Sequence, residues 1–366
     1  MTKKILQFAR QFSILILVYF IMFMIIFFSK ELSSGIKNGI NVSMNLVIPS
    51  LFIFMILSNM IINSKLKHII SHPFKILAKH VFHISQNSMA IVLLSLVGGY
   101  PVGAKLINNA VSQNSLSREE ASNLLCYSVN CGPAFLISGI GVTIFSSFQV
   151  GLFMYLSQII ACVTIGFIMS FFNKEIKSYH IPNDKKESIP YSILFVKSVN
   201  DAVKSMAIIC GFIVAFSAFM PMVSVLLKHF GSEYSYIVQG FLEVTTGCNN
   251  LSSVTSPNGA LLATAFTAFG GVCVHLQVYA MISPNGVKIT KFFILRVLYT
   301  IISVVSMKVM LALSPATTNC ISYNPNIKQD IYSVSPTATI FMISLAIMLL
   351  FFTRKSDSIN VRKIKG

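Results

Sequence analysis

Four short stretches hold the residues of this chain that could do chemistry. Gly98–Lys105 reads GGYPVGAK, Asn130–Pro133 reads NCGP, Glu243–Asn250 reads EVTTGCNN, and Phe269–Gly271 reads FGG. Each interrupts an apolar segment. Glycine and proline break the helical hydrogen-bond ladder, and hydrocarbon offers the freed backbone groups no partner. Such breaks therefore persist only where protein or a wet cavity lines them. A helix that restarts after a break presents free N–H groups and the positive end of its dipole, which together make an anion site. Two breaks of one kind in matching halves point to a solute site at the middle of a membrane.

The side chains around the breaks each support two readings. Lys105 begins the return arm after GGYPVG, either as a counter-charge for a substrate carboxylate or as a lysine that snorkels to the interface. Tyr100 offers a ring face and a hydroxyl donor, or simple packing. Glu243 sits in an apolar stretch with no Lys or Arg nearer in sequence than Lys228. An unpaired carboxylate at that depth costs several kcal/mol, which makes Glu243 the candidate for carrying a coupling ion. The alternative is a carboxylate that caps backbone N–H groups of its own break. Lys308, alone in its helix, is a candidate partner for it.

Asn130, Thr245, Thr246, Asn249 and Asn250 supply neutral donors and acceptors for solute or for unwound backbone. His275 and Gln277 follow the FGG break and add an imidazole and an amide. Gly99, Pro101, Gly103, Cys131, Gly132, Pro133, Gly247, Gly270 and Gly271 complete the expected substrate-binding set. His68, His72, His80 and His83 lie among lysines, with Pro73 between them, and read as a basic surface loop rather than a metal site. No cofactor, metal or catalytic residue is expected. Walker, GxGxxG, HExxH and convincing GxSxG patterns are missing, and no aspartate lies in a spanning run, so an enzyme is disfavoured.

The elements that must hold these residues are membrane helices. The chain has 366 residues, 54% of them hydrophobic and only 11% charged, against roughly 25% charged in soluble domains. Its mean hydropathy is +0.75. Apolar runs near the roughly 20 residues that cross a bilayer occur at Phe12–Phe28, Gly39–Ile62, Val150–Phe172, Ser205–Leu227, Phe292–Leu313 and Pro336–Phe352. Two further runs, Glu119–Phe145 and Gly259–Ile282, are interrupted. The formal charge of +17 sits in loops on one side, which is the positive-inside pattern and not a nucleic-acid footprint. On that reading the cytoplasmic groups include Lys288, Lys291 and Arg296; the other side keeps Lys30, Lys37, Lys228 and Lys328. The cysteines show no C-x-x-C spacing and read as small apolar residues, with Cys131 and Cys248 set apart by lying in breaks.

Charge placement also requires Ser85–Asn109 to return to the side it left, as a re-entrant hairpin turning at GGYPVG. Ser117 then opens a helix, with Glu120 three residues on as in a capping box. The second half repeats the order: a helix from Ser205, a hairpin turning at TTGCNN, an interrupted helix from Gly259, and a full helix from Phe292. The expected fold is all-α and polytopic, with about eight transmembrane helices, two re-entrant hairpins and an inverted-topology repeat of broken helices. Its parts would be an anchor helix (1–38), a first repeat (39–172), a cytoplasmic linker with an interfacial helix (173–204), a second repeat (205–314), and an external loop, last helix and basic tail (315–366).

The ordered motifs GYPVGAK, NCGP with its following phenylalanine and glycine, LE-x-x-x-G, and FGG-x-x-V-H-x-Q closely resemble YlbJ-like sporulation integral membrane proteins, from Gly39 to about Leu313. Two departures stand out: Gly98 where the family usually has serine, and Cys131 in place of a second asparagine. The resemblance implies a nucleoside-recognition (Gate) core acting in the membrane of an endospore-forming mother cell. It further implies movement of dipicolinic acid across the outer forespore membrane. Gate-type cores also serve nucleosides and metal ions, so another solute stays open, as does a non-transport organiser of spore assembly. The expected partners are the lipid bilayer and a small anion, dipicolinate, without nucleic acid; homo-oligomerisation stays open.

Overall fold

The computed structural model describes residues 11–13, 15, 16, 18, 19, 22, 23, 25–172, 190–228, 235–251 and 257–314. The expected linker over 173–189, the last helix at 336–352 and the basic tail lie outside the described residues. Every described element is helical, and all belong to one compact unit. Among the described residues four helices are long and apolar enough to cross a membrane: Phe148–Ser170, Tyr191–Val225, Pro257–Asn285 and Thr290–Leu313. The number rises to six if two bent pairs, Ser29–Val47 with Leu51–Ile62 and Leu66–Phe82 with Gln86–Gly98, each count as one span. This is an all-α polytopic membrane protein.

The element order of the first half recurs in the second. Gln86–Gly98 and Val102–Ser112 form a hairpin. After it come Arg118–Leu125, an irregular stretch, and a wide helix over Ala134–Val142 closed by i→i+5 bonds such as Phe145 N–H to Ile140 O. Phe148–Ser170 ends the half. The second half runs from a hairpin of Ser235–Leu242 and Val244–Asn250 through Pro257–Phe269 and Gly271–Ile282 to Thr290–Leu313. The terminal helices of the two halves, Phe148–Ser170 and Thr290–Leu313, pack on each other.

Both ends of the first hairpin meet on one side. Ser88, at its start, donates to Glu120 Oε1 over 2.8 Å, and Gln113, past its end, donates to Asn63 Oδ1 over 2.9 Å. Ser117 Oγ accepts the Glu120 N–H at 3.1 Å, which caps Arg118–Leu125. The second hairpin turns earlier than the sequence suggests. TTGCNN is helical within Val244–Asn250, and the turn falls at Glu243. Another boundary also moves: Tyr191–Lys228 is one helix running through Lys204 and Ser205, so the amphipathic segment forms its first turns.

Close packing rests on small residues. A Cβ built on Gly35 would lie 2.2 Å from Ser217 O, and one on Gly39 would lie 2.9 Å from Val214 Cα. This GxxxG pair lets Ser29–Val42 approach the long Tyr191–Lys228 helix at backbone distance.

Candidate functional site

The hairpin tips seat against the interrupted helices at glycines. Gly99 has φ +72°, open to glycine without strain, and a Cβ there would meet Gly132 N at 2.7 Å. On Gly103 a Cβ would fall 1.7 Å from Ser128 O. In the second half Gly240 lies under the Phe266 ring of the interrupted helix, while Gly247 against the Gly240 backbone brings the two arms of the hairpin together. Gly271, at φ +64°, faces Leu242 O. Each hairpin is thus locked to the break of its own half by backbone contact.

One hollow opens where these tips converge. Gly99, Tyr100, Cys131, Gly132 and Phe135 line it from the first half, and Glu243, Val244, Thr245, Cys273, Val274 and Gln277 from the second. Val47, Leu51, Ile209 and Ile213 close the remaining side. The space is about 520 Å³, part of it open to the exterior. Glu243 is the charged side chain among these lining residues. Its carboxylate accepts the Thr245 N–H at 3.0 Å and the Thr246 N–H at 2.7 Å, so it caps Val244–Asn250 while facing the hollow. Among the described residues no ion pair joins it to Lys308, which is exposed on its helix.

The other expected residues fall into two groups. Asn130 and Gly271 lie directly behind the lining: Asn130 Nδ2 donates to Tyr127 O at 3.0 Å, and Gly271 O meets His275 Nδ1 at 2.6 Å. Lys105, Pro101, Pro133, Thr246, Asn249 and Asn250 do not line the hollow. Asn249 and Asn250 are exposed, and Asn250 Nδ2 donates to Gln239 Oε1, tying the second hairpin together. His275 is buried among Phe269, Phe292 and Phe293, stacked on the last at 5.2 Å. It packs on these rings and is not among the lining residues.

Behind the lining runs a buried polar network that joins the halves. Gln158 Oε1 accepts the Cys131 N–H at 3.0 Å, and its Nε2 donates to Thr267 Oγ1 at 3.2 Å. Arg296 belongs to the same layer. Grouping it with Lys288 and Lys291 places it at a cytoplasmic surface; the structure puts it fully inside the protein. Its Nε donates to Phe269 O at 3.0 Å and its Nη1 to Val129 O. One guanidinium therefore holds the carbonyl that ends Pro257–Phe269, where the negative end of a helix dipole favours a cation, together with a carbonyl of the irregular stretch after Arg118–Leu125. The sequence carried the signal for this, since Phe292, Arg296, Tyr299, Ser303 and Met307 recur at helical spacing and all are buried.

Over 299 residues, 72% of this chain and 73% of the other, the protein is 23% identical to the sporulation integral membrane protein YlbJ of Bacillus subtilis (strain 168). No family model and no solved structure matches the chain. The ordered glycine breaks and the all-helical membrane architecture accompany this similarity to YlbJ.

Proposed function

We propose that the protein moves a small anionic metabolite through the hollow at the helix breaks. Dipicolinate, carried across the outer forespore membrane during sporulation, is the solute to which the family resemblance points. The observation that carries this reading is the convergence of hairpin tips and broken helices from both halves on a single space. A packing device needs no hollow there, whereas a carrier requires a site that elements of both halves can close in turn. The inverted relation of the halves is part of the same proposal. Tyr100 and Phe135 offer aromatic faces for a flat ring. Thr245 and Gln277 offer neutral polar contacts. Glu243 is the group that would carry a coupling proton.

One observation favours a second reading. The charged residue among the lining residues is a carboxylate, which suits a cation or a neutral nucleoside better than a lone anion. Proteoliposomes carrying purified protein, offered radiolabelled dipicolinate, nucleosides and divalent metal ions in parallel, separate these. Saturable uptake of dipicolinate above empty vesicles supports the proposal. Uptake of another solute alone supports the second reading, and uptake of none supports an organiser of spore assembly.

A further inference from the structure

Tyr100 lines the hollow and Arg296 does not, yet each carries a donor without a hydrogen-bond partner. Arg296 is fully buried, and among the described residues no carboxylate bonds it. Two of its nitrogens are spent on Val129 O and Phe269 O, while Nη2 has no hydrogen-bond partner. The guanidinium carbon lies 4.5 Å from the centre of the Tyr299 ring and 5.8 Å from that of Phe292. The Tyr100 hydroxyl is likewise buried and unbonded, although the Cys131 thiol lies beside it. Tyr100 and Cys131 both line the hollow, and the carbonyl of Val129 that Arg296 bonds lies two residues before Cys131.

We propose that Arg296 is the charge-selecting residue of the hollow, its Nη2 and the Tyr100 hydroxyl together receiving one carboxylate oxygen of the solute. The inference rests on the transport reading and deepens it, because it names the groups that make the site prefer an anion. Among the described residues no ion pair joins Glu243 to Arg296, and the Glu243 oxygens accept backbone N–H groups instead. A guanidinium taken out of water is costly until its charge is met. The two carbonyls meet part of that charge, and a charge-assisted bond from Nη2 to a carboxylate oxygen meets more of it.

The test is equilibrium binding of radiolabelled dipicolinate and of its neutral diamide, pyridine-2,6-dicarboxamide, to purified wild type, Tyr100→Phe, Arg296→Lys and Arg296→Gln. Tyr100→Phe leaves both carbonyl bonds of Arg296 in place, so it decides the matter even where the arginine variants fail to fold. It is expected to weaken dipicolinate roughly tenfold while changing the diamide by less than about twofold, the scale of one hydrogen bond to a charged group. Arg296→Gln, where folded, is expected to abolish the preference for the dianion. If wild type binds dipicolinate and every folded variant keeps its preference over the diamide, the assignment is overturned while the transport reading stands. If wild type binds neither compound, the transport reading fails and takes this inference with it.

Discussion

The Tyr299 hydroxyl sits 2.8 Å from Asn130 Oδ1 and 2.8 Å from Gln158 O, so a side chain of the last described helix braces the break of the first half. Tyr299 is fully buried. Tyr299→Phe would remove the one hydroxyl proton that these two acceptors share, at a cost of about 1–3 kcal/mol. Thermal unfolding of the purified protein in detergent should show a clear fall in Tm. An unchanged Tm would mean that the brace carries no load.

Glycine contacts set a sharper contrast. Gly103→Ala places a methyl 1.7 Å from Ser128 O, a backbone atom that cannot move without unseating the hairpin. Gly211, by contrast, has nothing within 4 Å of its Cβ position and lies inside the Tyr191–Lys228 helix. Gly211→Ala should be neutral or stabilise by about 0.5–1 kcal/mol. Size-exclusion profiles of detergent extracts distinguish them: the first variant should lose its monodisperse peak and the second keep it.

Glu243 should reveal two roles that separate by substitution. Glu243→Ala removes the cap of Val244–Asn250 and should cost about 1 kcal/mol. Glu243→Gln keeps one acceptor oxygen and should unfold within a few degrees of wild type, yet uptake should no longer respond to an imposed pH gradient. Uptake by the Gln variant that follows the gradient as wild type does would remove Glu243 from ion coupling.

Lys105 and Lys308 should matter little. Neither lines the hollow, and Lys308 lies on the exposed face of Thr290–Leu313. Uptake by Lys105→Gln and Lys308→Gln proteoliposomes should stay within about twofold of wild type, the effect of a surface charge. A tenfold loss at Lys105 would restore it as the solute's counter-charge.

Much of the architecture was legible because glycine and proline break helices whatever surrounds them. GGYPVG marked the first turn, and Ser117 with Glu120 marked a helix start. The capping box closed only halfway, since the Glu120 carboxylate takes the Ser88 hydroxyl. TTGCNN misled because its polar residues look like a turn, whereas the Glu243 carboxylate lets the helix restart immediately after itself. Arg296 was hidden by its neighbours in sequence. Counting charges by loop joins it to Lys288 and Lys291, and only the three- and four-residue spacing from Phe292 to Met307 sets it on the inner face. His275 shows the converse, a titratable ring beside a break that the fold spends on aromatic packing.

The most direct test of the central claim, that both halves build one solute-filled space, uses two native thiols. Cys131 lines the hollow from the first half and Cys273 from the second. The rate at which a small water-soluble thiol reagent modifies each can be followed by mass spectrometry, with and without saturating dipicolinate. Dipicolinate should slow modification at both positions together. Equal rates at both with and without dipicolinate, in protein that is folded and does react, would contradict it.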